Sequence, residues 1–320
     1  MARTRVNVLM KRSRSQLFTL ILVYLSYRLF VKSCSDFPTK VVFVAYGLLE
    51  RPKGCAHNVT ENVMVKSITL NYKIPHEHWS IGIHLGAETC EIDGVNVTAR
   101  EASHWRSLRN DAFSEMHKAE EIDHLVQLRL CSDKNSTFPS ICSQPFWRGD
   151  YTSHTVRNAL RMFYLEDRLS QIFSKLDIRT LVVVYSADLL LNREVDPLDV
   201  IYAHVNQDAV LTTANNDADG YTDGFYFGNI QSVGKVLSSL RYLRKYARDG
   251  IIGVDYERVL KLTFAEAGLK RRVLRHFGEE FRDFVKVRAS GDTFAQLSCH
   301  AKSFIDPKLC PELQGKSCFL

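Results

Sequence analysis

From residue 40 onward, short apolar runs alternate with longer stretches whose apolar positions recur every three or four residues, the pattern of a sheet covered by helices. Strands are predicted at Val41 to Ala45, Trp79 to His84, Leu125 to Leu130, Leu181 to Tyr185, Ala209 to Thr213, Phe225 to Phe227 and Phe284 to Val287. Unbroken runs such as Leu181 to Val184 imply burial on both faces, as in a parallel sheet. The spacing of Val156, Leu160, Phe163, Leu169, Phe173 and Leu176 predicts a helix over Thr155 to Leu176. Similar spacing predicts helices over Ser232 to Tyr246 and Tyr256 to Ala267, the latter stopped by Gly268. Cys131 to Tyr151 has two prolines, two cysteines and little periodicity, and reads as a long loop. That loop is either functional or a disulfide-pinned, glycosylated excursion. The fold class expected is α/β, with a mixed, mostly parallel central sheet covered by helices, in one domain over 40–290 with a cysteine-containing tail, 291–320, packed on it.

The first residues follow a different pattern. Residues 17 to 31, LFTLILVYLSYRLFV, follow five basic residues, Arg3, Arg5, Lys11, Arg12 and Arg14, with no acid among them. That asymmetry keeps the N-terminus cytoplasmic and predicts a basic tail over 1–15, a signal-anchor helix over 16–32, a short stem over 33–39 and a lumenal body. The apolar run is shorter than the roughly 20 residues that span an average bilayer, so it suits a thin endoplasmic-reticulum or Golgi membrane, with Arg28 snorkelling to the interface. A cleaved signal peptide is the rival, but bulky Tyr27, Arg28, Leu29 and Phe30 leave no prompt small-residue cleavage site.

Composition sharpens the compartment. With 45% hydrophobic and 24% charged residues the chain is neither disordered nor fibrous. Of 42 Lys and Arg, seven lie in the first 34 residues, so 42 less 7 leaves 35 in the body against 36 Asp and Glu. A near-neutral body lacks the basic face a nucleic acid demands. Three N-x-S/T acceptors, Asn58, Asn96 and Asn135, and eight cysteines with no Cys-x-x-Cys pair fit a glycosylated, disulfide-bonded protein of the secretory pathway. Cys131 and Cys142 bracket one loop, and Cys299, Cys310 and Cys318 crowd the tail. Cys34, beside the membrane, is free, palmitoylated or intermolecular.

Three segments carry candidate chemistry. LVVVYSAD, Leu181 to Asp188, runs a buried strand into a carboxylate at a sheet's carboxyl edge, where open α/β sheets bind ligands. Asp188 there holds Mg2+ or Mn2+, or merely caps the next turn. NNDADGYTDGFYFGN, Asn215 to Asn229, joins acids, glycines and aromatics, suiting either a sugar-lined pocket with Asp223 as base or a tight hairpin with Tyr226 outward and Phe225 and Phe227 inward. GVDYE, Gly253 to Glu257, puts Asp255 and Glu257 at a helix start, where capping alone explains one acid. His276 offers a nitrogen ligand to a metal or diphosphate, although an isolated His is more often a hydrogen-bonded structural residue. No phosphate-cradling G-x-x-x-x-G-K-S/T loop, strand-linked G-x-G-x-x-G or G-x-S-x-G elbow occurs, which argues against P-loop hydrolysis, Rossmann dehydrogenases and ordinary serine hydrolases.

Taken in order, these parts resemble a GT-A-fold glycosyltransferase carried on a short Golgi anchor. The resemblance rests on VFVAY, Val42 to Tyr46, followed by Gly47; on Ser186, Ala187 and Asp188 in the slot of an Asp-x-Asp motif; on TDGFYFGN, Thr222 to Asn229; and on Asp255 and Glu257. The context YSADLLLNREVDP is also similar to the R-x-D-L segment of bacterial polysaccharide transferases, with Asp196 as a second acid. It implies a nucleotide-sugar donor held by Ala45, Tyr46, Gly47, Ser186 and Asp188. It further implies an acceptor glycan or glycoprotein beside Tyr226, Gly228 and Asn229, a metal at Asp188 and His276, and Asp223 or Glu257 as base. Ser186 replaces the first acid of the motif, which weakens metal dependence and keeps a catalytically inactive lumenal binding protein in view, beside a glycan hydrolase as a further alternative.

Overall fold

The computed structural model describes residues 38–47, 65, 68, 73–84, 91–92, 95–96, 112–131, 140–187, 189–191, 194–213, 220–221, 224–274 and 284–286. All belong to one compact unit, Pro38–Leu320. The strands are β1 (Lys40–Gly47), β2 (His76–His84), β3 (Glu91–Ile92), β4 (Val95–Asn96), β5 (Phe113–Lys118), β6 (Thr180–Ser186), β7 (Leu189–Leu191), β8 (Ala209–Thr212), β9 (Phe225–Asn229), β10 (Lys270–Val273) and β11 (Phe284–Lys286). Seven of them form one sheet in the order β10-β8-β9-β6-β1-β2-β5. β9 alone runs antiparallel to its neighbours β6 and β8; every other pairing in that sheet is parallel. The mixed, mostly parallel α/β sheet expected from the apolar pattern is therefore present.

The helices are α1 (Ala119–Leu130), α2 (Ser153–Phe173), α3 (Pro197–Val205), α4 (Ile230–Leu237), α5 (Ser239–Arg248) and α6 (Tyr256–Glu266). One core gathers Val42, Val44 and Tyr46 of β1, Val182 and Val184 of β6 and Tyr226 of β9 against the apolar stripe of α2, with α4, α5 and α6 alongside. Val41, Phe43 and Ala45 of β1 and Leu181, Val183 and Tyr185 of β6 are buried as well, as their unbroken apolar runs require. Helix starts follow ordinary capping: Thr152 accepts from the Thr155 amide at 3.2 Å, and Asp196 accepts from the Leu198 amide at 2.7 Å just ahead of Pro197. Gly268, at φ +66°, follows α6 in the left-handed region expected of a helix stop.

Two expected elements come out differently. Leu125 to Leu130 is the second half of helix α1, not a strand; Ala119, Ile122 and Val126 are buried at three- and four-residue spacing while Leu128 is exposed. The strand of that region is β5, whose half-polar FSEMHK concealed it because an edge strand buries little. The helix expected over Ser232 to Tyr246 is two helices, because the hydroxyls of Ser238 and Ser239 donate to the carbonyls of Lys235 and Val236, both at 2.7 Å, where the chain turns. Asp196, expected as a second functional acid, serves as the α3 cap just described.

The long loop after α1 is pinned as its composition implied. Cys131 and Cys142 are joined, and the Trp147 indole donates to the Ile141 carbonyl at 2.7 Å. Its far end buckles onto the approach to α6. The Arg148 amide donates to the Val254 carbonyl at 2.7 Å, the Val254 amide to the Phe146 carbonyl at 3.0 Å, and the Arg148 side chain meets Asp255 at 2.9 Å. The Tyr151 hydroxyl accepts from the Tyr256 amide at 3.1 Å, and burial pushes that phenol up to about 12; burial does the same for Tyr246.

A phenol harder to ionise when folded is a proton the unfolded chain releases first, so stability must fall as pH rises from the ordinary tyrosine range toward about 12. Denaturant titrations of the wild type and of Tyr246→Phe across that range should show a loss of stability that is smaller in the variant. An equal slope in both would remove Tyr246 from the account.

Candidate functional site

The strand order itself locates a crevice. From β1 the chain steps outward through β2 to β5, then returns to the other side of β1 as β6. Connections leaving β1 and β6 diverge, and the space outside their carboxyl ends is where open α/β sheets bind ligands. Tyr46 pairs with Ser186 at that edge, so β1 ends into Gly47 beside the last residue of β6.

Backbone bonds draw a third segment to the same place. The Ala187 amide donates to the Tyr46 carbonyl at 2.9 Å, and the Ser186 amide donates to the Gly224 carbonyl at 2.7 Å. Gly47 and Gly224 have φ of +109° and +88°, conformations that side chains rarely adopt. A Cβ at Gly224 would sit 3.4 Å from that of Ser186, and one at Gly47 would sit 3.6 Å from the Met162 methyl and 4.0 Å from the Ser186 hydroxyl. Gly47, Ser186 and Gly224 therefore form a small-residue rim, with Met162 packed against Gly47. Farther along, Gly220 lies so near the start of α6 that a Cβ would fall 2.0 Å from the Glu257 carbonyl carbon, and the Tyr221 amide donates to the Glu257 carbonyl at 2.9 Å. That contact docks the segment preceding Gly224 on the first turn of α6.

Beneath the rim lies a group the sequence reading did not single out. Glu166 of α2 is fully buried, and its Oε1 accepts from the hydroxyls of Tyr46 at 3.2 Å, Tyr226 at 3.3 Å and Tyr256 at 2.5 Å. Tyr46 precedes Gly47, Tyr226 lies two residues beyond Gly224, and Tyr256 precedes Glu257. One carboxyl group thus ties β1, β9 and α6 to α2 at the points from which the rim is built. Its signal was present in the sequence: an acid three residues from both Phe163 and Leu169, on the apolar stripe of α2.

The residues expected to bind ligand divide accordingly. Ala45, Tyr46, Gly47 and Ser186 lie at the crevice, but the side chains of Ala45 and Tyr46 are buried, so β1 presents backbone there. Tyr226 is not outward. It points into the helix-covered core with its hydroxyl on Glu166, and Phe225 and Phe227 are buried too. Gly228 and Asn229 stand at the opposite end of the sheet, because β9 runs antiparallel to β6 and pairs Asn229 with Leu181. Gly228 gives room to the Ala209 carbonyl, 3.1 Å from where a Cβ would lie, and Asn229 caps α4 through the Gln231 amide at 2.9 Å. An acceptor beside Tyr226, Gly228 and Asn229 does not go with that placement.

Asp255 is spent on structure, accepting from the Arg258 amide at 2.7 Å and from Arg148. Glu257 stands two residues on, partly exposed. Asp188, Asp223 and His276 lie outside the described residues, as do Asn58, Asn135 and the anchor expected over 16–32. Asn96 ends strand β4. Among the described residues no helix is long and apolar enough to cross a membrane, and no three His, Cys, Asp or Glu side chains are grouped to hold a metal ion.

No protein-family description matches the chain, and no curated protein is similar to it in sequence. Solved structures are similar at low identity. Apo mouse xyloside xylosyltransferase 1 matches at 10% identity and a TM-score of 0.41, over 73% of this chain and 84% of that one. The galactosyltransferase LgtC, solved with donor and acceptor sugar analogues, matches at 11% and 0.34, over 72% of each chain. GlyE, a glycosyltransferase of Streptococcus pneumoniae, matches at 10% and 0.32, over 75% of this chain and 45% of that one. Likenesses of this size add nothing to the strand order already described.

Replacing Glu166 by Leu leaves three buried phenols without their shared acceptor, and each such loss costs about 1–3 kcal/mol. Chemical denaturation should show Glu166→Leu destabilised by roughly 3 kcal/mol or more. A change below about 1 kcal/mol would mean that the tyrosines find other partners.

Proposed function

We propose that this domain is a glycosyltransferase that seats a nucleotide-sugar donor in the crevice at the carboxyl ends of β1 and β6 and transfers its sugar to a glycan or glycoprotein. The observation that carries this reading is the meeting of Gly47, Ser186 and Gly224 at the topological switch point, with chain segments that bear the candidate acids leading from it. Asp188 follows Ala187, whose amide is bound to β1, and Asp223 precedes Gly224, whose carbonyl is bound by Ser186. The order of these parts resembles a GT-A enzyme, and the placement of the rim supports that resemblance independently of it.

In the transfer, the bond from the anomeric carbon to the diphosphate oxygen breaks and its electron pair leaves with the diphosphate. A hydroxyl of the acceptor bonds to the same carbon. The rim brings the donor against the backbone of Gly47 and Gly224, with the small side chain of Ser186 between them. Asp188, with His276 as a second ligand, would hold Mn2+ or Mg2+, a cation suited to oxygen ligands that steadies charge on the leaving diphosphate. If configuration inverts, Asp223 or Glu257 takes the proton of the attacking hydroxyl. The position of Glu257 beside Tyr221 supports its candidacy. Ser186 in place of a first acid favours a second reading, a nucleotide-independent lumenal binding protein.

A panel of UDP, GDP and CMP sugars offered to the purified protein with Mn2+ should yield transfer or donor hydrolysis with at least one donor. Asp188→Asn should lower that turnover by about 100-fold or more in a folded protein. No nucleotide binding by calorimetry with any donor would select the binding-protein reading, and glycan cleavage without a donor would select a hydrolase.

We further propose a type II topology in the Golgi or endoplasmic reticulum, with membrane contact through 16–32 and sugars on Asn58, Asn96 and Asn135. The basic leader, the sequons and the Cys131–Cys142 bridge support it, since disulfides persist in oxidising compartments. Endoglycosidase added to sealed membranes should shift the protein's mobility only after detergent, and protease should reach the body only after detergent. A body digested without detergent would overturn the topology.

A further inference from the structure

A second cavity lies away from the crevice. It is a groove of about 490 Å³ in the helical layer, floored by one side of α2 and walled by α1 and α5, with the inner face of edge strand β5 at one end. The α2 floor presents Tyr164, Asp167, Arg168 and Gln171, a run at helical spacing that lies beside the core stripe. None of the crevice residues lines it.

Its charges are unevenly satisfied. Arg168 forks onto Glu115 of β5, with bonds of 2.8 and 3.2 Å, and those two charges cancel. Arg129 stands on the α1 wall, and Arg241 and Arg244 stand on the α5 wall opposite. Neither Arg129 nor Arg244 makes an ion pair among the described residues, and Arg241 lies over the Tyr242 ring at 4.7 Å. The carboxylate left among them is Asp167, which accepts from Gln171 at 2.8 Å. Burial holds the Asp167 carboxyl above its usual range despite Arg241 and Arg129 nearby. Arg129 on one wall therefore stands across a groove of ligand size from Arg241 and Arg244 on the other, with Asp167 the one lining carboxylate not forked by Arg168.

We infer that this groove is a second binding site, for an acidic saccharide bearing carboxylate or sulfate groups. Arginine forks bind such groups in pairs of hydrogen bonds. A ligand that was only anionic would meet Asp167 unfavourably, whereas a sugar acid also brings hydroxyls, which donate to Asp167. The half-buried Tyr164 ring and Leu125, Leu130 and Leu240 supply the apolar surface that a sugar's C–H face packs against. The two ends of this chain are poor occupants. Residues 287–320 carry four basic residues, Arg288, Lys302, Lys308 and Lys316, against three acidic ones, Asp292, Asp306 and Glu312, and the first 34 residues are wholly basic in their charge. The inference goes beyond the crevice reading and does not depend on it.

Calorimetry on the full chain in detergent, at low salt, tests it with a sulfated uronate-containing disaccharide, lactose, inorganic sulfate and a short poly-glutamate peptide as probes. The sulfated disaccharide should bind, and Arg129→Ala/Arg244→Ala should weaken it at least tenfold, the loss of one charge-assisted contact or more. Arg129→Lys/Arg244→Lys should recover part of that loss, because charge returns without the fork. Asp188→Asn should leave the affinity unchanged, which separates the groove from the crevice. Equal affinity for sulfate or for the peptide, binding of lactose as strong as that of the disaccharide, or a disaccharide affinity unmoved in the Ala variant with native circular dichroism would each overturn the site.

Discussion

The arrangement depends on one buried carboxyl group. Glu166 sits where four elements meet, and its Oε1 receives hydroxyls from β1, β9 and α6. A polar group taken out of water must find partners inside, so once Glu166 occupies the stripe of α2, the three tyrosines are constrained to reach it. The reverse holds as well, since each buried phenol needs an acceptor. This mutual requirement fixes the depth at which β1, β9 and α6 lie against α2. Because each tyrosine is within two residues of a rim or helix-start position, the same constraint sets the spacing of Gly47, Gly224 and Glu257.

Around that point the fold uses topology and a buckle for different ends. The return of the chain to β6 opens the crevice, and the two glycines at positive φ keep its rim low. The disulfide-pinned loop acts from the other side. It carries Trp147 and Arg148 onto residues 253–255 and gives Asp255 a cation, so the first turn of α6 is held at both its cap and its preceding strand-like bridge. The loop is pinned by its disulfide, as its composition implied, and its far end clamps the helix that receives Tyr221. The charged groove among α1, α2 and α5 owes nothing to these contacts, which is why two sites of different chemistry can coexist on one domain.

Periodicity spoke clearly where burial was complete. β1 and β6 carry unbroken apolar runs, Val41–Tyr46 and Leu181–Tyr185, and α2 carries a stripe three turns and more in length, so their existence and type were legible. It misled where burial was partial. Leu125 to Leu130 contains enough apolar residues for a strand, but the helix begins earlier, at Ala119, and only the packing of Ile122 and Val126 against α2 distinguishes the two. The segment FYFGN shows the limit for function. Its aromatics and Asn suit a sugar pocket by composition, yet direction decides the matter: running antiparallel to β6, β9 carries Gly228 and Asn229 away from the edge that Gly224 reaches.

By itself the amino-acid order determined the α/β class, the buried central strands, the long helix, the basic apolar leader and the positions of Gly47 and Ser186 at strand ends, all of which follow from local spacing and charge. Tertiary structure alone decided which strands are neighbours, and therefore where the switch point opens. It also brought Tyr46, Tyr226 and Tyr256 to Glu166 across separations of 120, 60 and 90 residues. No local pattern encodes a contact at such distance. It arises because a buried acid and buried phenols satisfy one another only when the strands and helices that carry them are already packed.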